Sequence, residues 1–238
     1  MGWLLDNIGA SIVSFIIGGF LTWLWAIRKN LKIYTHTLFR GDTDYRVSAA
    51  YLFKIQIDNK YLLIKGNRIE QFQPVGGVYK YYNSFGDKYN QMQLRQDDDS
   101  NFYENRDLRI YVKGKSLQKF LNWFDSKENR EYTVEREFRE ELVKTGILQE
   151  EILKDVRFEY VRRVNKGIEF STHFKCFQVL IFDIFNVHID NENALEQIKN
   201  YVSENEDLTL VSFDEIEREC VNINGKSVKI GAHAKEIR

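Results

Sequence analysis

Twenty consecutive residues, Ile8 to Ile27, carry no charge, and no other feature limits so strongly what this chain can become. As a helix rising about 1.5 Å per residue, such a run reaches roughly 30 Å, the hydrocarbon thickness of a bilayer. The opening Met1-Gly2-Trp3-Leu4-Leu5-Asp6 has no basic n-region, and no small-x-small cleavage site follows the run. The pattern therefore predicts a retained transmembrane anchor over residues 1–34 rather than a cleaved leader. Arg28, Lys29 and Lys32 follow the run, whereas only Asp6 and the amino terminus precede it. The positive-inside rule then predicts a single pass with the large C-terminal part in the cytoplasm. Within the span, Ala10, Ser14 and Gly18 recur every four residues. They either form a packing face for a second membrane helix or reflect the general abundance of small residues in such helices.

About 200 residues remain, enough for one sizeable core or one core with an inserted element. An aromatic content of 14%, with 13 Tyr and 17 Phe, predicts a β-rich fold. The net charge of −1 excludes a general nucleic-acid footprint, so any nucleotide site must be local. Cys176 and Cys220 sit in no CxxC or Cys/His pairing, and the four scattered histidines make no zinc pattern. Periodicity predicts helices over 116–125, 128–144 and 191–204, and strands over 47–57, 60–65, 69–75, 107–112, 156–165, 168–182 and 207–212. Ala49, Tyr51, Phe53, Ile55 and Ile57 alternate, which turns one face of the first strand inward. The run Phe174 to Val187 is apolar enough to be a central strand. The expected class is α/β, a mixed β-sheet sandwiched by helices behind one N-terminal transmembrane helix.

The strongest chemical signal is Glu128, seven residues, then Arg136-Glu137-Phe138-Arg139-Glu140-Glu141. On a helix, Glu137, Glu140 and Glu141 share one stripe, while Val134, Phe138 and Leu142 make a separate apolar stripe for the core. The acids are thus expected on the surface. Like charges at that spacing repel by a few tenths of a kcal/mol per pair, and a hard cation would reverse the sign. Mg²⁺ held by such carboxylates also binds polyphosphate. A solvated helix balanced by Arg136, Arg139 and Lys144 explains the same charges.

This stretch resembles the core of the Nudix box, whose pattern runs Gly, five residues, Glu, seven residues, Arg-Glu-apolar-x-Glu-Glu, one residue, Gly, apolar. The flanks depart from it. The fitting upstream glycine is Gly77 of Pro74-Val75-Gly76-Gly77, so 50 residues stand in place of five, and Gly146-Ile147 arrives three residues late. The resemblance covers residues 46–238, with an insertion at about 78–127.

The first half of the insertion is rich in Tyr, Phe, Asn, Gln and Asp, too polar for a core and too aromatic for a plain linker. Its second half, Asp107 to Asp125, looks folded, with Ser116 expected to cap a helix. Aromatic rings near Arg95, Arg106 and Arg109 either stack bases and pair phosphates or pack the insertion onto the sheet.

A membrane helix, a Nudix-like domain and a box split by a long insertion together resemble the SMODS-associated Nudix proteins. These are regarded as effectors of CBASS, a bacterial antiphage defence in which a cyclase makes a cyclic oligonucleotide signal. The resemblance implies a receptor in the bacterial inner membrane whose cytoplasmic domain binds the diffusible product of a cognate cyclase. The bound chains would form a homo-oligomer and disrupt that membrane. The candidate ligand contacts are Gly77, Tyr79, Tyr82, Arg109 and Arg136. The alternative is a Mg²⁺-dependent anchored hydrolase of nucleoside diphosphate derivatives. Glu137, Glu140 and Glu141 would there be both metal ligands and catalytic groups, a metal-bound water attacking a diphosphate phosphorus. A third reading makes Arg136 and the acids a purely structural network.

Overall fold

The computed structural model describes residues 31–66, 69–97 and 106–238. The expected membrane span, with Ala10, Ser14 and Gly18, lies outside the described residues. Among the described residues, no helix is long and apolar enough to cross a membrane.

The architecture is a mixed sheet flanked by helices. Its spine is β1 (Asp44–Ile57), which runs parallel to β7 (Cys176–Ile189) from Tyr45↔Phe177 to Ile55↔Val187. On its other side β1 meets β5 (Arg109–Lys113) near its start and β2 (Lys60–Lys65) near its end, both antiparallel. Strand β3 (Phe72–Pro74) and β8 (Leu208–Val211) extend from β2, β4 (Arg95–Gln96) from β5, and β6 (Val156–Ser171) from β7. A separate hairpin joins β9 (Cys220–Ile223) to β10 (Lys226–Lys229). The expected inward face of β1 holds, as Ala49, Tyr51, Phe53, Ile55 and Ile57 are all buried, but its first half is buried on the other face as well. Tyr45 through Phe53 are all buried, because both faces of this central strand are covered.

Residues 31–38 form helix α1. Further helices are α2 (Gly86–Gln91), α3 (Gly114–Ser126), α4 (Glu135–Phe138), α5 (Glu192–Glu204) and α6 (Phe213–Glu217). Helix α6 starts with a capping box between Ser212 and Glu215, which satisfies two otherwise orphaned backbone donors. Helix α3 starts two residues before the expected cap at Ser116. A β-carbon at Gly114 would stand 2.3 Å from the Arg40 carbonyl oxygen, so only glycine allows the chain to turn into the helix there.

Two expected boundaries move. The gap foreseen between strands near 166–167 is a bulge inside β6, where the register slips between Asn165 and Ile168 and Gly167 takes φ +69°. The turn to β7 comes later, at residues 172–175. The apolar run to Val187 does form a central strand, but Phe174, expected to begin it, falls in the turn and the strand starts at Cys176. The insertion is less detached than its composition suggests, since β5 pairs with β1. Phe85 is fully buried and stacks on Trp123 at 3.5 Å, and Tyr81 stacks on Tyr89 at 5.4 Å. These aromatics pack the insertion against the domain.

Candidate functional site

The expected helix over 128–144 does not form as one piece, and its break builds the site. Residues 129–131 run antiparallel beside residues 80–82, with Arg130 bridging Tyr81, Tyr82 N–H donating to the Asn129 carbonyl and Glu131 N–H donating to that of Lys80. A backbone already committed to that pairing cannot begin a helix. Helix α4 therefore starts only at Glu135 and passes into a π-turn over Arg139–Val143. Its i→i+5 bond runs from Lys144 N–H to the Arg139 carbonyl at 2.8 Å. The wider turn changes where the acids point relative to an α-helix, and such turns are frequent at functional sites. Val134, Phe138 and Leu142 are buried, as their stripe predicts.

Arg136 sits at the centre of the acids. Its Nε and Nη2 donate to the two oxygens of Glu131 at 2.6 and 2.7 Å. Nη2 also donates to Glu137 Oε1 at 2.5 Å, and Nη1 to Glu140 Oε2 at 2.5 Å. Glu128, the acid placed here by the box spacing, points elsewhere: it is exposed and pairs with Lys88 at 3.4 Å. Glu131 takes its place, which the pairing of residues 129–131 with residues 80–82 makes possible.

Glu137 is the second correction, because it is buried rather than presented. The segment 75–79 runs beside β1, with Tyr51 N–H donating to the Gly77 carbonyl and Tyr79 N–H to that of Ala49. This lays Gly77 directly on the Glu137 carboxylate, where a β-carbon would fall 1.8 Å from Oε2. Burial pushes the Glu137 carboxyl up to about 7; Arg136 opposes this, while Glu140 and Glu141 add to it. Burial and the Glu140 charge likewise raise Glu141, against Arg109. Burial raises Asp107 against the pull of Arg109, Lys80 and Arg136. Burial disfavours the Arg136 cation too, but Glu131, Glu137 and Glu140 outweigh that and raise its pKa. One guanidinium thus gains from three acids, and Glu137 receives only part of it.

The donor chemistry suits a hard cation, but the arrangement does not. Among the described residues, no three acids converge as ligands around one point. Arg136 holds Glu137 Oε1 and Glu140 Oε2, and the Gly77 backbone closes on Glu137 Oε2. A Mg²⁺ ion held by Glu137, Glu140 and Glu141 would require the guanidinium to let go.

A glycine segment laid on a buried glutamate, with an Arg-Glu-Phe-Arg-Glu-Glu helix beneath it, agrees with the match of residues 44–238 to the model of the SMODS-associated NUDIX domain. The chain belongs to that family. No curated protein matches it by sequence.

The other expected contacts of this SMODS-associated NUDIX domain lie in different settings. Tyr79 is buried, packs on Tyr51 with ring centroids 3.8 Å apart, and donates its hydroxyl to Asp183. Its ring is therefore closed to a ligand. Tyr82 is about half exposed at 48%. Arg109 is half-buried, with Nη1 3.8 Å from Asp107. Arg106 lies beside Tyr82, its Nη1 donating to Asn83 at 3.0 Å.

Sequence reasoning missed a second buried network. Arg163 donates to both oxygens of Asp183 at 2.6 and 2.8 Å, and to Asp125 at 2.6 Å. Arg130 is fully buried between Phe124 and Tyr79, donating to the carbonyls of Phe124 and Glu131. These residues are separated widely in sequence, so no local spacing signals them. Beside the same 131–135 segment lies a cleft of about 820 Å³, bounded by Tyr132, Glu135, Phe158, Phe185 and His188. That size falls in the small-molecule range.

Proposed function

We propose that this chain is a membrane-anchored receptor of a CBASS-type antiphage system, whose NUDIX domain binds a cyclic oligonucleotide without hydrolysing it. On binding, chains assemble and their anchors disrupt the inner membrane. Family membership supports the effector role. The observation that carries the choice of receptor over hydrolase is the saturation of Arg136 by Glu131, Glu137 and Glu140. Two of the three acids a hydrolase would offer to a metal, Glu137 and Glu140, are already bound to a cation of the protein itself. A receptor needs cations for phosphates and ring faces for bases; Arg106 and Arg109 are the cations, and the half-exposed Tyr82 and the cleft with Tyr132, Phe158 and Phe185 offer the rings.

One observation favours a second reading, a Mg²⁺-dependent hydrolase of nucleoside diphosphate derivatives. Three acids, Glu131, Glu137 and Glu140, surround one arginine, Glu141 adds its charge beside them, and like-charge repulsion contributes to the raised pKa of Glu137 and Glu141. Bound at Glu137, Glu140 and Glu141, the ion would polarise a phosphoryl oxygen and activate water.

The deciding experiment reconstitutes the full chain in lipid nanodiscs and adds cyclic di- and trinucleotides or nucleoside diphosphate derivatives, with Mg²⁺ or with EDTA. A receptor binds a cyclic compound equally well in EDTA, and chromatography recovers it intact. Product that accumulates over many turnovers and disappears with EDTA establishes the hydrolase. A chain that binds no nucleotide under either condition sinks both.

A further inference from the structure

We propose that α1 and the turn after it form an interfacial foot that lies in the headgroup region of the bilayer and fixes how the domain stands on the membrane. This rests on the reading of residues 8–27 as an anchor. Helix α1 has two apolar sides. One is docked: Ile33 and Thr37 are buried, His36 Nδ1 lies 2.9 Å from the Tyr45 hydroxyl, and the His36 ring packs edge-on to Phe177 at 4.7 Å. The following turn is clamped too, because Lys115 N–H donates to Gly41 and Gly114 N–H to Thr43, each at 2.9 Å. The foot and the sheet therefore move together.

The opposite side has no cover among the described residues. Leu31, Tyr34 and Leu38 are 51%, 58% and 60% exposed, and Phe39 is 89% exposed. Positions 31, 34 and 38 share one helix face, turned away from Ile33 and Thr37. Large apolar side chains aligned in this way are not the scattered singles of an ordinary surface. The uncharged run ends at Ile27, and only Arg28, Lys29 and Asn30 stand between it and Leu31. An apolar face so near the end of a span lies within reach of the acyl boundary. Lys32 and Arg40, both exposed, provide cations that anionic headgroups attract. Tyr and Phe are suited to that boundary.

The test places an environment-sensitive fluorophore on the full chain, with Cys176 and Cys220 replaced by Ser, in vesicles of phosphatidylethanolamine and phosphatidylglycerol. Phe39→Cys and Tyr34→Cys carry the dye on the foot. Phe213→Cys carries it on α6, next to β8, whose Val211 pairs with Tyr61, at the opposite end of β1 from Tyr45. Dye on the foot is expected to emit at shorter wavelength and to be quenched by lipid with a shallow doxyl group but not by aqueous iodide, with the reverse at position 213. Equal iodide quenching at all three positions, in a chain that resists carbonate extraction, would overturn the foot and leave the anchor standing. Release by carbonate would remove the anchor and the foot with it. Disulfide cross-linking between chains at position 39, without doxyl quenching, would assign the ridge to a second copy instead.

Discussion

Glu137 ought to make the domain less stable as pH rises, and replacing it with Gln should remove its share of that trend. Its carboxyl moves from 4.5 to about 7 on folding, chiefly through burial. A raised acid pKa means that the folded state holds the proton more tightly than the unfolded state. The associated stability is therefore complete below about pH 4.5 and is lost as pH climbs through about 7. At about 1.4 kcal/mol per tenfold change in proton affinity, the loss is about 3 kcal/mol. In Glu137→Gln the side chain is neutral at every pH and nearly the same shape. At pH 5 the two proteins carry the same charge at this position and should melt close together; at pH 8 only the native chain carries the buried anion. For a domain of this size, about 3 kcal/mol corresponds to roughly 6–12 °C in melting temperature. Differential scanning fluorimetry of both chains in one detergent, from pH 5 to 8, measures the gap directly, and the difference cancels the titrating groups that do not interact with Glu137. A gap that stays flat would refute the reasoning. A gap that reverses, with the native chain gaining on the variant toward pH 8, would show that the Arg136 pair outweighs burial and that the pKa is depressed.

Arg136→Met should destabilise the domain by about 3–5 kcal/mol in urea unfolding, because it strands Glu131 and Glu137 as unpaired buried charges; Arg136→Lys should recover little, since an ammonium cannot present the same fork. Gly77→Ala puts a methyl 1.8 Å from Glu137 Oε2 and should cost about 1–3 kcal/mol, with a fall in nucleotide affinity measured by calorimetry. Glu128→Gln should stay within about 0.5 kcal/mol of the native chain, as an exposed pair contributes little, whereas Glu131→Gln should cost several times more; equal effects in thermal melts would restore Glu128 to the cluster.

The sheet was legible because its strands carry long apolar runs with clear turn signals: β2 lies where Asp58-Asn59 predicts, and both of those residues adopt positive φ. Helices α3 and α5 followed from periodicity with shifts of one or two residues at their ends. The acid stripe was misread because helical spacing was extended back to Glu128. The signal against that was non-local: residues 129–131 pair with residues 80–82 across the whole insertion, and no window on either side contains both partners. Burial of Glu137 was hidden for the same reason. Gly77 closes over it from a segment 60 residues upstream, and the residue letters of α4 alone describe an amphipathic surface helix. The turn of the long hairpin was missed because Gly167 is a conspicuous breaker, yet it serves a bulge, while the true turn uses Lys175 at φ 52°.

Arg130 and Glu131 are adjacent in sequence but send their side chains into different buried networks, which makes their shared backbone a joint. Glu131 holds Arg136 and through it the acids of α4 and the π-turn. Arg130 lies over Tyr79, whose hydroxyl is held by Asp183, itself held by Arg163 of β6. Arg130 Nη1 also donates to the Glu131 carbonyl at 2.7 Å. A shift of this dipeptide must disturb both networks, and Tyr132, next in line, borders the cleft. A ligand settling there would act on the joint and, through it, on the β6–β7 hairpin and the acid cluster together. A double-mutant cycle tests this without a ligand. Glu131→Gln loosens one network and Asp183→Asn the other, and neither substitution touches the partners of the first. Coupled networks should give an interaction energy of about 0.5–3 kcal/mol in urea unfolding. Additivity within about 0.3 kcal/mol would mean that the two networks respond independently, and signal transmission through residues 130–132 would have to be abandoned.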